Sequence, residues 1–286
     1  MTDGIITKGI GGFYYVSTPH GSYQCRARGK LRKDKIIPVV GDRVKISIVN
    51  ESQAEGVIEQ IQPRVNYLIR PPVANVDTVV IVIASASPCP DYYMVDKLIV
   101  TAEKAGIEII IAVNKTDLAS PDAIIDIYKK SGFVTVKTCA EKNLGIDNLK
   151  ALLTGKITAF AGNSGVGKSS LLNRFGFSLE TGDVSKIERG RHTTRHVELL
   201  PLGKEGYVID TPGFSLLDIY DIEPNHLKDY FREFESFSRC RFKDCTHIDA
   251  TSGNCAVVSA VEKGDICPTR YSSYLNLYKS LKDIKN

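Results

Sequence analysis

The sequence predicts an α/β fold built on a parallel β-sheet, preceded by a small β-barrel and followed by a small helical domain. From Val76 to Phe175, apolar strands alternate with helical segments, which is the pattern of a parallel sheet covered by helices. Residues 1–70 contain several short strands separated by Gly, Pro, Asn and Asp, which favours a barrel. After Phe214, aromatic residues recur at helical spacing around a Cys/His cluster. We therefore expect domains at 1–70, 71–220 and 221–286.

The individual elements follow from apolar runs and from the turn residues that bound them. In the first domain we expect strands at Gly12–Val16, Ser22–Arg28, Arg43–Ile48 and Gly56–Ile61, and then a linker at Pro71-Pro72. In the second domain we expect strands at Val76–Ala84, Ile107–Val113, Phe133–Thr138 and Ile157–Ala161, helices at 91–105, 120–132, Ile146–Leu153 and Lys168–Phe175, and a hairpin from Val197–Leu200 and Tyr207–Ile209. In the third we expect one helix face with Leu227, Tyr230, Phe231 and Phe234, and another with Tyr271, Tyr274, Leu275, Tyr278 and Leu281.

Composition narrows the class of protein. The 43% hydrophobic and 24% charged fractions are typical of a soluble globular chain. No apolar run approaches the roughly 20 residues that cross a bilayer, and residues 1–12 lack a signal-peptide pattern. We expect a cytoplasmic monomer that binds no membrane. Residues 1–70 carry eleven Lys and Arg against six Asp and Glu, while the remainder has a net charge of −1. Any contact with a polyanion should therefore begin in the first domain.

Residues 162–169, Gly-Asn-Ser-Gly-Val-Gly-Lys-Ser, match the P-loop pattern G-x-x-x-x-G-K-S. The glycines let the backbone wrap closely around phosphate, and the next helix offers its positive N-terminus. Lys168 should reach the β- and γ-phosphates, and the Ser169 hydroxyl should bind Mg²⁺. The expected nucleotide-binding residues of this loop are Gly162, Asn163, Ser164, Gly165, Val166, Gly167, Lys168, Ser169 and Ser170.

A second motif, Asn114-Lys115-Thr116-Asp117, is an N-K-x-D element, which recognises guanine. Asp117 can accept hydrogen bonds from N1–H and the 2-amino group of guanine, whereas adenine offers neither donor there. Such a site can reject the wrong base by up to about 10⁴-fold. Thr138-Cys139-Ala140 ends the next strand, where a third guanine-contacting loop belongs, and the Ala140 N–H should meet the guanine carbonyl. The expected GTP-binding residues here are Asn114, Lys115, Thr116, Asp117, Cys139 and Ala140.

The order of these motifs indicates a rearranged chain. In an ordinary GTPase the P-loop comes first, but here Asn114 precedes Gly162 by about fifty residues. The sequence therefore predicts a circularly permuted α/β P-loop GTPase domain. Permutation is compatible with a compact α/β domain because its chain ends often lie close together.

Two further elements complete the expected nucleotide site. Asp210-Thr-Pro-Gly213 is a D-x-x-G element, in which Asp210 should hold Mg²⁺ through water and the Gly213 N–H should contact the γ-phosphate. In the loop at 189–196, Thr194 rather than Thr193 is expected to complete the Mg²⁺ shell. The expected magnesium ligands are Ser169, Thr194 and Asp210.

The position after D-x-x-G departs from the usual pattern. Many GTPases have a glutamine there that orients the attacking water. This chain has Phe214, so basal hydrolysis should be slow. His192 and His196 are the alternatives for positioning water, and we favour His192. The expected catalytic residues are Lys168, His192, Thr194, Asp210 and Gly213.

The third domain contains a metal-ligand pattern, Cys240-x₄-Cys245-x-His247-x₇-Cys255. Three thiolates and one imidazole make a complete tetrahedral Zn²⁺ shell with no open position, so a structural zinc is expected. The odd number of cysteines, seven, also favours metal over disulfides. Cys267 is the local alternative to Cys255.

A run of cations in the first domain predicts a nucleic-acid surface. Arg26, Arg28, Lys30 and Arg32 alternate, and on a strand all four would point to one face. Four cations on one barrel face fit phosphate contacts on RNA. The alternative is a solvated edge whose charges deter strand pairing.

Taken in order, Asn-Lys-Thr-Asp, Gly-Asn-Ser-Gly-Val-Gly-Lys-Ser-Ser, Gly-Arg-His-Thr-Thr-Arg-His and Asp-Thr-Pro-Gly-Phe resemble the RsgA family, also called YjeQ or YloQ. The resemblance extends to Ile69-Arg-Pro-Pro72 and to the Cys/His cluster, although the gap before Cys255 is longer than in the family. It implies an N-terminal OB-fold, a permuted GTPase domain and a C-terminal zinc domain. It also implies a GTPase that acts late in assembly of the small (30S) ribosomal subunit, binds its rRNA and is stimulated by that subunit.

Two functions of different classes remain open at this stage. The first is a GTPase whose hydrolysis is coupled to subunit maturation and to its own release. The second is an RNA-binding scaffold in which GTP locks a conformation and turnover is incidental.

Overall fold

The structure is a computed structural model of the 286-residue chain. It describes residues 1–33, 37–69, 71–179, 197–203, 206–210, 219–248 and 251–285. The described residues belong to two compact units. The first unit comprises Met1–Thr78, Leu153–Phe160 and Ser185–Phe214, and the second comprises Val79–Leu152, Ala161–Val184 and Ser215–Asn286.

The described residues form thirteen strands, seven α-helices and two 3₁₀ helices. The strands are β1 (Thr2–Ile10), β2 (Phe13–Thr18), β3 (Gly21–Ala27), β4 (Arg43–Asn50), β5 (Glu55–Ile61), β6 (Tyr67–Ile69), β7 (Pro72–Ala74), β8 (Thr78–Ala84), β9 (Glu108–Asn114), β10 (Val134–Lys137), β11 (Ile157–Ala161), β12 (Glu198–Leu202) and β13 (Gly206–Asp210). The helices are α1 (Gly29–Lys33), α2 (Tyr92–Lys104), α3 (Asp122–Lys130), α4 (Ile146–Leu152), α5 (Lys168–Arg174), α6 (Ala256–Lys263) and α7 (Pro268–Lys285), with 3₁₀ helices at Pro224–Tyr230 and Arg232–Phe237. In the described part of the chain, no helix combines the length and apolar character needed to span a membrane.

The first unit contains a closed five-stranded barrel. Strands β1, β2, β3, β5 and β4 pair in that order, and β4 pairs with β1 to close the ring. The β3–β5 pair is parallel and the others are antiparallel. Side chains that point inward form a dry core, which includes Ile6, Val16, Ile46 and Ile58. The predicted barrel is confirmed, but strand β1 was not predicted, because Ile6 is its one buried side chain and apolar alternation is weak.

The expected cationic strand face is wrong in its geometry. Strand β3 ends at Ala27, and Gly29 begins helix α1, so Arg26 and Lys30 lie on different elements. Arg28 forms an ion pair with Glu59, and the Arg26 guanidinium lies 4.6 Å from the centroid of the Phe13 ring. The side chain of Arg32 lies outside the described residues. The four cations therefore do not alternate along one strand, because the run passes the end of β3 and continues into α1.

Pro71-Pro72 does not act as a free linker, which corrects another expectation. Pro72 begins β7, which pairs with β6 in a two-stranded hairpin. The hairpin is hydrogen-bonded to the turn that precedes β4. Ala74 N donates to Val40 O at 2.9 Å, and Asn75 Nδ2 donates to Gly41 O at 3.0 Å. Gly41 has φ +86°, and a Cβ there would lie 2.0 Å from Ala74 O, so only glycine allows this close approach.

The first unit extends its sheet beyond the barrel. Strand β12 pairs with β1 at Lys8 and Glu198, whose side chains form an ion pair at 2.7 Å. Strand β13 pairs antiparallel with β12 and parallel with β11. The predicted hairpin at β12 and β13 is confirmed.

The second unit contains the strands β10, β9 and β8 in that order, with β9 and β10 parallel. All seven residues of β8 are buried, as the continuous apolar run predicts. Helix α2 begins after Asp91, whose carboxylate accepts the Met94 N–H at 3.1 Å as an N-cap. The predicted alternation of strands and helices through α4, β11 and α5 is confirmed, with boundaries within about two residues.

The C-terminal region belongs to the second unit and has its own aromatic core. Leu227, Phe231, Phe234 and Tyr274 are buried there, and the Phe231 and Phe234 rings stack at 5.2 Å. The expected single helix at 227–234 is wrong, because two 3₁₀ helices meet at Phe231. Spacing of i, i+3 fits the three-residue turn of a 3₁₀ helix as well as an α-helix. The predicted C-terminal helix is confirmed as α7. The domain boundaries near residues 70 and 220 stay a prediction.

Candidate nucleotide site and metal centre

The P-loop follows β11 and is held in a tight curve by two glycines with positive φ. Gly162 has φ +133°, and a Cβ there would lie 2.4 Å from Val82 O of β8. Gly167 has φ +97°, directly before α5, and its Cβ would lie 2.3 Å from Asn114 Nδ2. These positions require glycine both for conformation and for space. The pattern of the loop is thus explained by backbone packing against β8 and Asn114.

Lys168 lies at the start of α5 and folds back over the loop. Its Nζ donates to Gly162 O at 2.7 Å and to Asn163 O at 2.8 Å. Burial lowers the pKa of Lys168, although its ordinary value is so high that the ammonium stays charged near neutral pH. Ser169 and Ser170 are half-buried in the first turn of the same helix. The loop therefore presents one cation and two hydroxyls together.

Asn114, the last residue of β9, joins the P-loop to the third expected base-contacting loop. Its Nδ2 donates to Val166 O at 3.0 Å, and its Oδ1 accepts from Ala140 N at 3.2 Å. The side chain is buried, and the Thr138 hydroxyl also donates to Oδ1 at 3.3 Å. The Asn114 amide thus holds two separate loops at the end of β9: its NH₂ group binds the P-loop, and its oxygen binds the loop at 138–140. The expected contact of the Ala140 N–H with guanine competes with this bond.

Lys115 and Thr116 continue the same junction. Lys115 has φ +61°, its Nζ donates to Ser87 O at 2.6 Å, and its carbonyl accepts from Ser85 Oγ at 2.6 Å. The Thr116 hydroxyl donates to Thr138 O at 3.1 Å. A residue other than glycine is unusual in the left-handed region. Here the conformation is stabilised by the hydrogen bonds of the Lys115 ammonium and of the Lys115 carbonyl.

Asp117 is exposed at the rim of this junction, and one of its oxygens has a protein partner. The buried Cys139 thiol donates to Asp117 Oδ1 at 3.1 Å. This bond, a backbone N–H and the nearby cations Lys142 and Lys115 lower the pKa of Asp117, so it is an anion near neutral pH. The sequence placed Cys139 near the base but did not predict its bond to Asp117, because the thiol is a weak donor that no motif specifies.

The other predicted residues of the nucleotide site lie wholly or partly outside the described residues. His192, Thr194 and Gly213 lie outside the described residues. The backbone of Asp210 ends β13, opposite Glu198 of β12, but its side chain also lies outside the described part. The structure thus brings together the P-loop and the two loops that are expected to contact the base, which are 114–117 and 138–140.

The four predicted metal ligands converge in the C-terminal region. Ligand atoms of Cys240, Cys245, His247 and Cys255 all lie within 4.8 Å of one another. Cys240 Sγ and Cys255 Sγ are 3.8 Å apart, and His247 Nδ1 lies 3.3 Å from Cys255 Sγ. A tetrahedral ion with Zn–S bonds of about 2.3 Å separates its sulfur ligands by about 3.8 Å. Among the described residues, Cys267 is not part of this cluster.

The surroundings of the cluster affect the protonation of its ligand atoms in ways that suit a bound cation. Burial and the charge of Lys228 lower the pKa of His247 to about 4, so the imidazole is neutral near pH 7. Burial raises the pKa of Cys255 to about 11, so a thiolate there needs a positive partner. Cys240 Sγ accepts the Ala256 N–H at 3.3 Å, a bond that favours the thiolate. The donor set therefore fits a bound divalent metal.

Packing fixes the histidine ligand in place. The His247 ring meets the Phe234 ring edge to face at 5.6 Å, and the Tyr271 hydroxyl donates to His247 O at 2.7 Å. His247 has φ +60°, which turns the chain sharply between Cys245 and the rest of the loop. The metal site is thus built into the aromatic core of the C-terminal region.

Two family models match the chain. The model described as RsgA GTPase matches residues 61–220, and the model described as RsgA N-terminal domain matches residues 3–58. Curated relatives include the small ribosomal subunit biogenesis GTPase RsgA of Ruminiclostridium cellulolyticum, 47% identical over 99% of this chain and 95% of that protein. The protein of the same name from Caldanaerobacter subterraneus subsp. tengcongensis is 49% identical over 98% of this chain and 96% of that protein.

Solved structures agree in fold. YjeQ from Thermotoga maritima matches with a TM-score of 0.84 and 38% identity, over 98% of each chain. YloQ, a circularly permuted GTPase, matches with a TM-score of 0.82 and 36% identity, over 99% of this chain and 96% of that one. The predicted fold class is confirmed: a circularly permuted α/β P-loop GTPase domain with an N-terminal OB-type barrel and a C-terminal metal-binding helical region. This chain belongs to the RsgA GTPase family.

Proposed function

We propose that this chain binds and hydrolyses GTP in the biogenesis of the small (30S) ribosomal subunit. The single observation that carries the proposal is the Asn114 side chain, which bonds both to Val166 of the P-loop and to Ala140 of the third loop. A phosphate-binding loop and a base-reading loop are thereby joined at one strand end, the edge where open α/β sheets bind ligands. The names of the curated relatives support the ribosomal role.

The phosphate half of the proposed site has groups that would bind the negative charge of the phosphates. Backbone N–H groups of 162–167 would cradle the phosphates, and Lys168 would turn from Gly162 O toward the β- and γ-phosphates. Mg²⁺ bound with GTP supplies positive charge to the phosphates. Ser169, Thr194 and Asp210 would hold it, and the Gly213 N–H would contact the γ-phosphate.

The base half would select guanine through Asp117. Its anionic carboxylate can accept from N1–H and from the 2-amino group of guanine, and adenine would leave it unpaired. Lys115, whose side chain reaches Ser87 O, would cover one side of the base. The Ala140 N–H would exchange its bond with Asn114 for one with the guanine carbonyl.

Hydrolysis needs a group that positions water, and Phe214 cannot supply it. We propose that His192 does so, with His196 as the alternative, and that the small ribosomal subunit stimulates the step. Cations that contact rRNA would include Arg26, Arg28, Lys30 and Arg32. The exposed side chains of Arg26, Arg28 and Lys30 would act as a basic surface near the end of β3 and the start of α1 rather than as one strand face.

For the metal we propose one structural Zn²⁺ per chain. Three thiolates and a histidine are the ligand set that zinc favours, and four protein ligands leave no position for substrate. We also propose a cytoplasmic monomer, and domain boundaries near residues 70 and 220, which the ranges of the two family models support.

The decisive experiment is GTP turnover with and without purified small ribosomal subunits. Slow turnover alone and a large increase with subunits is expected. Large ribosomal subunits at the same concentration are the control for unspecific RNA. Equal turnover in all three conditions, with tight GTP-dependent subunit binding, would favour the scaffold function instead.

A second variant tests the group that positions water. If the subunit stimulates turnover, His192→Ala should reduce the stimulated rate strongly while GTP affinity changes little, which is the effect of losing a contact made mainly in the transition state.

A further inference from the structure

Three residues lie in one row across neighbouring strands of the first unit. Lys8 of β1 is paired with Glu198 of β12, and Glu198 is paired with Asp210 at the end of β13. Neighbouring strands lie about 4.8 Å apart, so Lys8 is only two strand spacings, about 10 Å, from the backbone of the D-x-x-G aspartate. The barrel is therefore joined by a continuous sheet to the strand that ends at Asp210.

An irregularity in β1 turns Lys8 away from the barrel core. Ile6 is fully buried and is paired with Val16 of β2. Lys8 is paired with Tyr15, the residue before it, so β1 has one extra residue, Thr7. On a regular strand, side chains two residues apart point to the same face, which would direct Lys8 into the core. The extra residue reverses this alternation. Lys8 therefore points outward, where its ammonium forms the 2.7 Å ion pair with β12.

A second bond holds the hairpin of β12 and β13 against the barrel. The Tyr207 hydroxyl donates to Ser17 Oγ of β2 at 3.0 Å. Tyr207 lies near the turn of the hairpin, whereas Glu198 lies at its open end, opposite Asp210. Because the two contacts are at different ends, the hairpin cannot pivot about either one. Both must be kept for β13 to stay in the same position relative to the barrel.

The hairpin connects the two segments that are expected to respond to the γ-phosphate. The loop at 189–196, with the proposed magnesium ligand Thr194, comes just before Glu198 in the sequence, and Asp210 opens the D-x-x-G element. Any displacement of the hairpin is passed to both segments through the chain itself. A contact that ties the hairpin to the barrel can therefore link the barrel to the nucleotide that is bound.

We propose that Lys8 is a positioning residue that couples the barrel to the nucleotide site through Glu198. This rests on the proposed function, because it takes the barrel as the RNA-binding domain and Asp210 as a residue of the nucleotide site. In this role Lys8 holds β12 and β13 in one position relative to β1. Coupling between two sites is reciprocal, so the bound nucleotide should alter the affinity for the small ribosomal subunit.

The test measures the affinity of the full-length protein for small ribosomal subunits by co-sedimentation, once with a GTP analogue that cannot be hydrolysed and once with GDP. In the wild-type protein the two affinities should differ by about 5-fold or more, the low end of typical coupling. Lys8→Glu replaces the attraction to Glu198 by a repulsion and should reduce this ratio by about 3-fold or more. Lys8→Arg keeps the ion pair and should retain the ratio. Lys8→Met removes the pair without adding an anion and should give an intermediate ratio, and it provides the measurement if Lys8→Glu does not fold.

The ratio separates coupling from a general effect of charge. An added anion on the barrel weakens RNA binding with both nucleotides alike, so an unchanged ratio in Lys8→Glu and Lys8→Met would overturn the proposal. Lys137 and Asp122 form an ion pair of the same 2.7 Å length in the second unit, and Lys137→Glu should leave the ratio unchanged. A wild-type ratio of one would also overturn the proposal, with GTP binding and subunit binding both intact. A wild-type protein that binds the subunit with neither nucleotide would instead refute the proposed function.

Discussion

Arg270 of α7 and Asp96 of α2 form a fully buried ion pair, with 2.6 Å between Nη1 and Oδ1. Glu233 of the second 3₁₀ helix binds the same guanidinium, with 2.6 Å from Nε to Oε1 and 3.1 Å from Nη2 to Oε2. Burial disfavours the charge of the guanidinium, but the two carboxylates outweigh this and raise the pKa of Arg270. One cation thereby ties a helix of the α/β sheet to two elements of the metal-binding region.

The first prediction concerns this pair. Arg270→Leu should lower the free energy of unfolding by about 3–5 kcal/mol, because it leaves two carboxylates in the interior without a counter-charge. Chemical denaturation followed by circular dichroism measures the change. The triple variant Asp96→Leu, Glu233→Leu, Arg270→Leu should be more stable than Arg270→Leu alone, since no charge is left buried.

An exposed pair serves as the control. Lys137 and Asp122 form an ion pair at 2.7 Å, and both side chains are more than half exposed. Lys137→Ala should change stability by no more than about 1 kcal/mol. If Arg270→Leu had an equally small effect, water would have to reach Asp96, and the pair would not be the tie described above.

Arg270 also illustrates what sequence patterns could not supply. The spacing of Tyr274 and Leu281 predicts the buried face of α7 from apolar residues, and both are buried. Arg270 lies on that same face with no exposed surface. A hydrophobic pattern assigns an arginine to solvent, because its burial depends on acids at positions 96 and 233 that are far away in sequence.

The nucleotide motifs were easier to predict, for a physical reason. A P-loop needs glycines at fixed positions of its own backbone, so Gly162 and Gly167 identify it from local sequence alone. The bond from Cys139 to Asp117 joins two loops whose distance only the fold determines. In the same way, strand β1 is fixed by pairing with three other strands rather than by its own alternation.

The second prediction concerns the metal. Cys245→Ser should reduce bound zinc from about one per chain to near zero and loosen the C-terminal region, because a structural site is closed only with four ligands. Elemental analysis measures the metal. Tyrosine fluorescence reports the loosening, since the chain has no tryptophan and Tyr274 lies in this core.

Cys267→Ser is the matched control for the metal prediction. Cys267 was the sequence-based alternative to Cys255, and it is not in the ligand cluster. This variant should keep its zinc. Loss of metal from Cys267→Ser but not from Cys255→Ser would reverse the assignment of the fourth ligand.

The third prediction concerns base choice. Asp117→Asn should shift preference from GDP toward XDP, because the amide can donate to the 2-carbonyl of xanthine where the carboxylate accepts from guanine. The relative affinity should change by roughly 10²-fold or more. Competition binding with both nucleotides measures it. Asp122→Asn, five residues further along at an exposed position, should leave the preference unchanged; an Asp117→Asn protein that still prefers GDP would refute the guanine assignment.

The fourth prediction compares two glycines that have similar backbone conformations but differ in how closely other atoms surround them. Gly167 has φ +97° and its Cβ would lie 2.3 Å from Asn114 Nδ2, whereas Gly176 has φ +103° and nothing within 4 Å. Alanine at either position should cost about 1–2 kcal/mol of stability for the left-handed backbone. Thermal denaturation should therefore show a loss in both variants, and a larger one in Gly167→Ala, where the methyl group also meets the buried Asn114 amide.

Nucleotide affinity should separate these two variants. In Gly167→Ala the new methyl group must displace the Asn114 amide, which breaks its bonds to Val166 O and Ala140 N and leaves buried polar groups without partners. Loss of such bonds corresponds to about ten-fold or more in affinity for GDP. Gly176→Ala leaves the Asn114 amide untouched and should bind GDP as wild type does. Equal affinities in the two variants would mean that Asn114 does not need to join the two loops, and the proposal that its bridge carries the nucleotide site would fail.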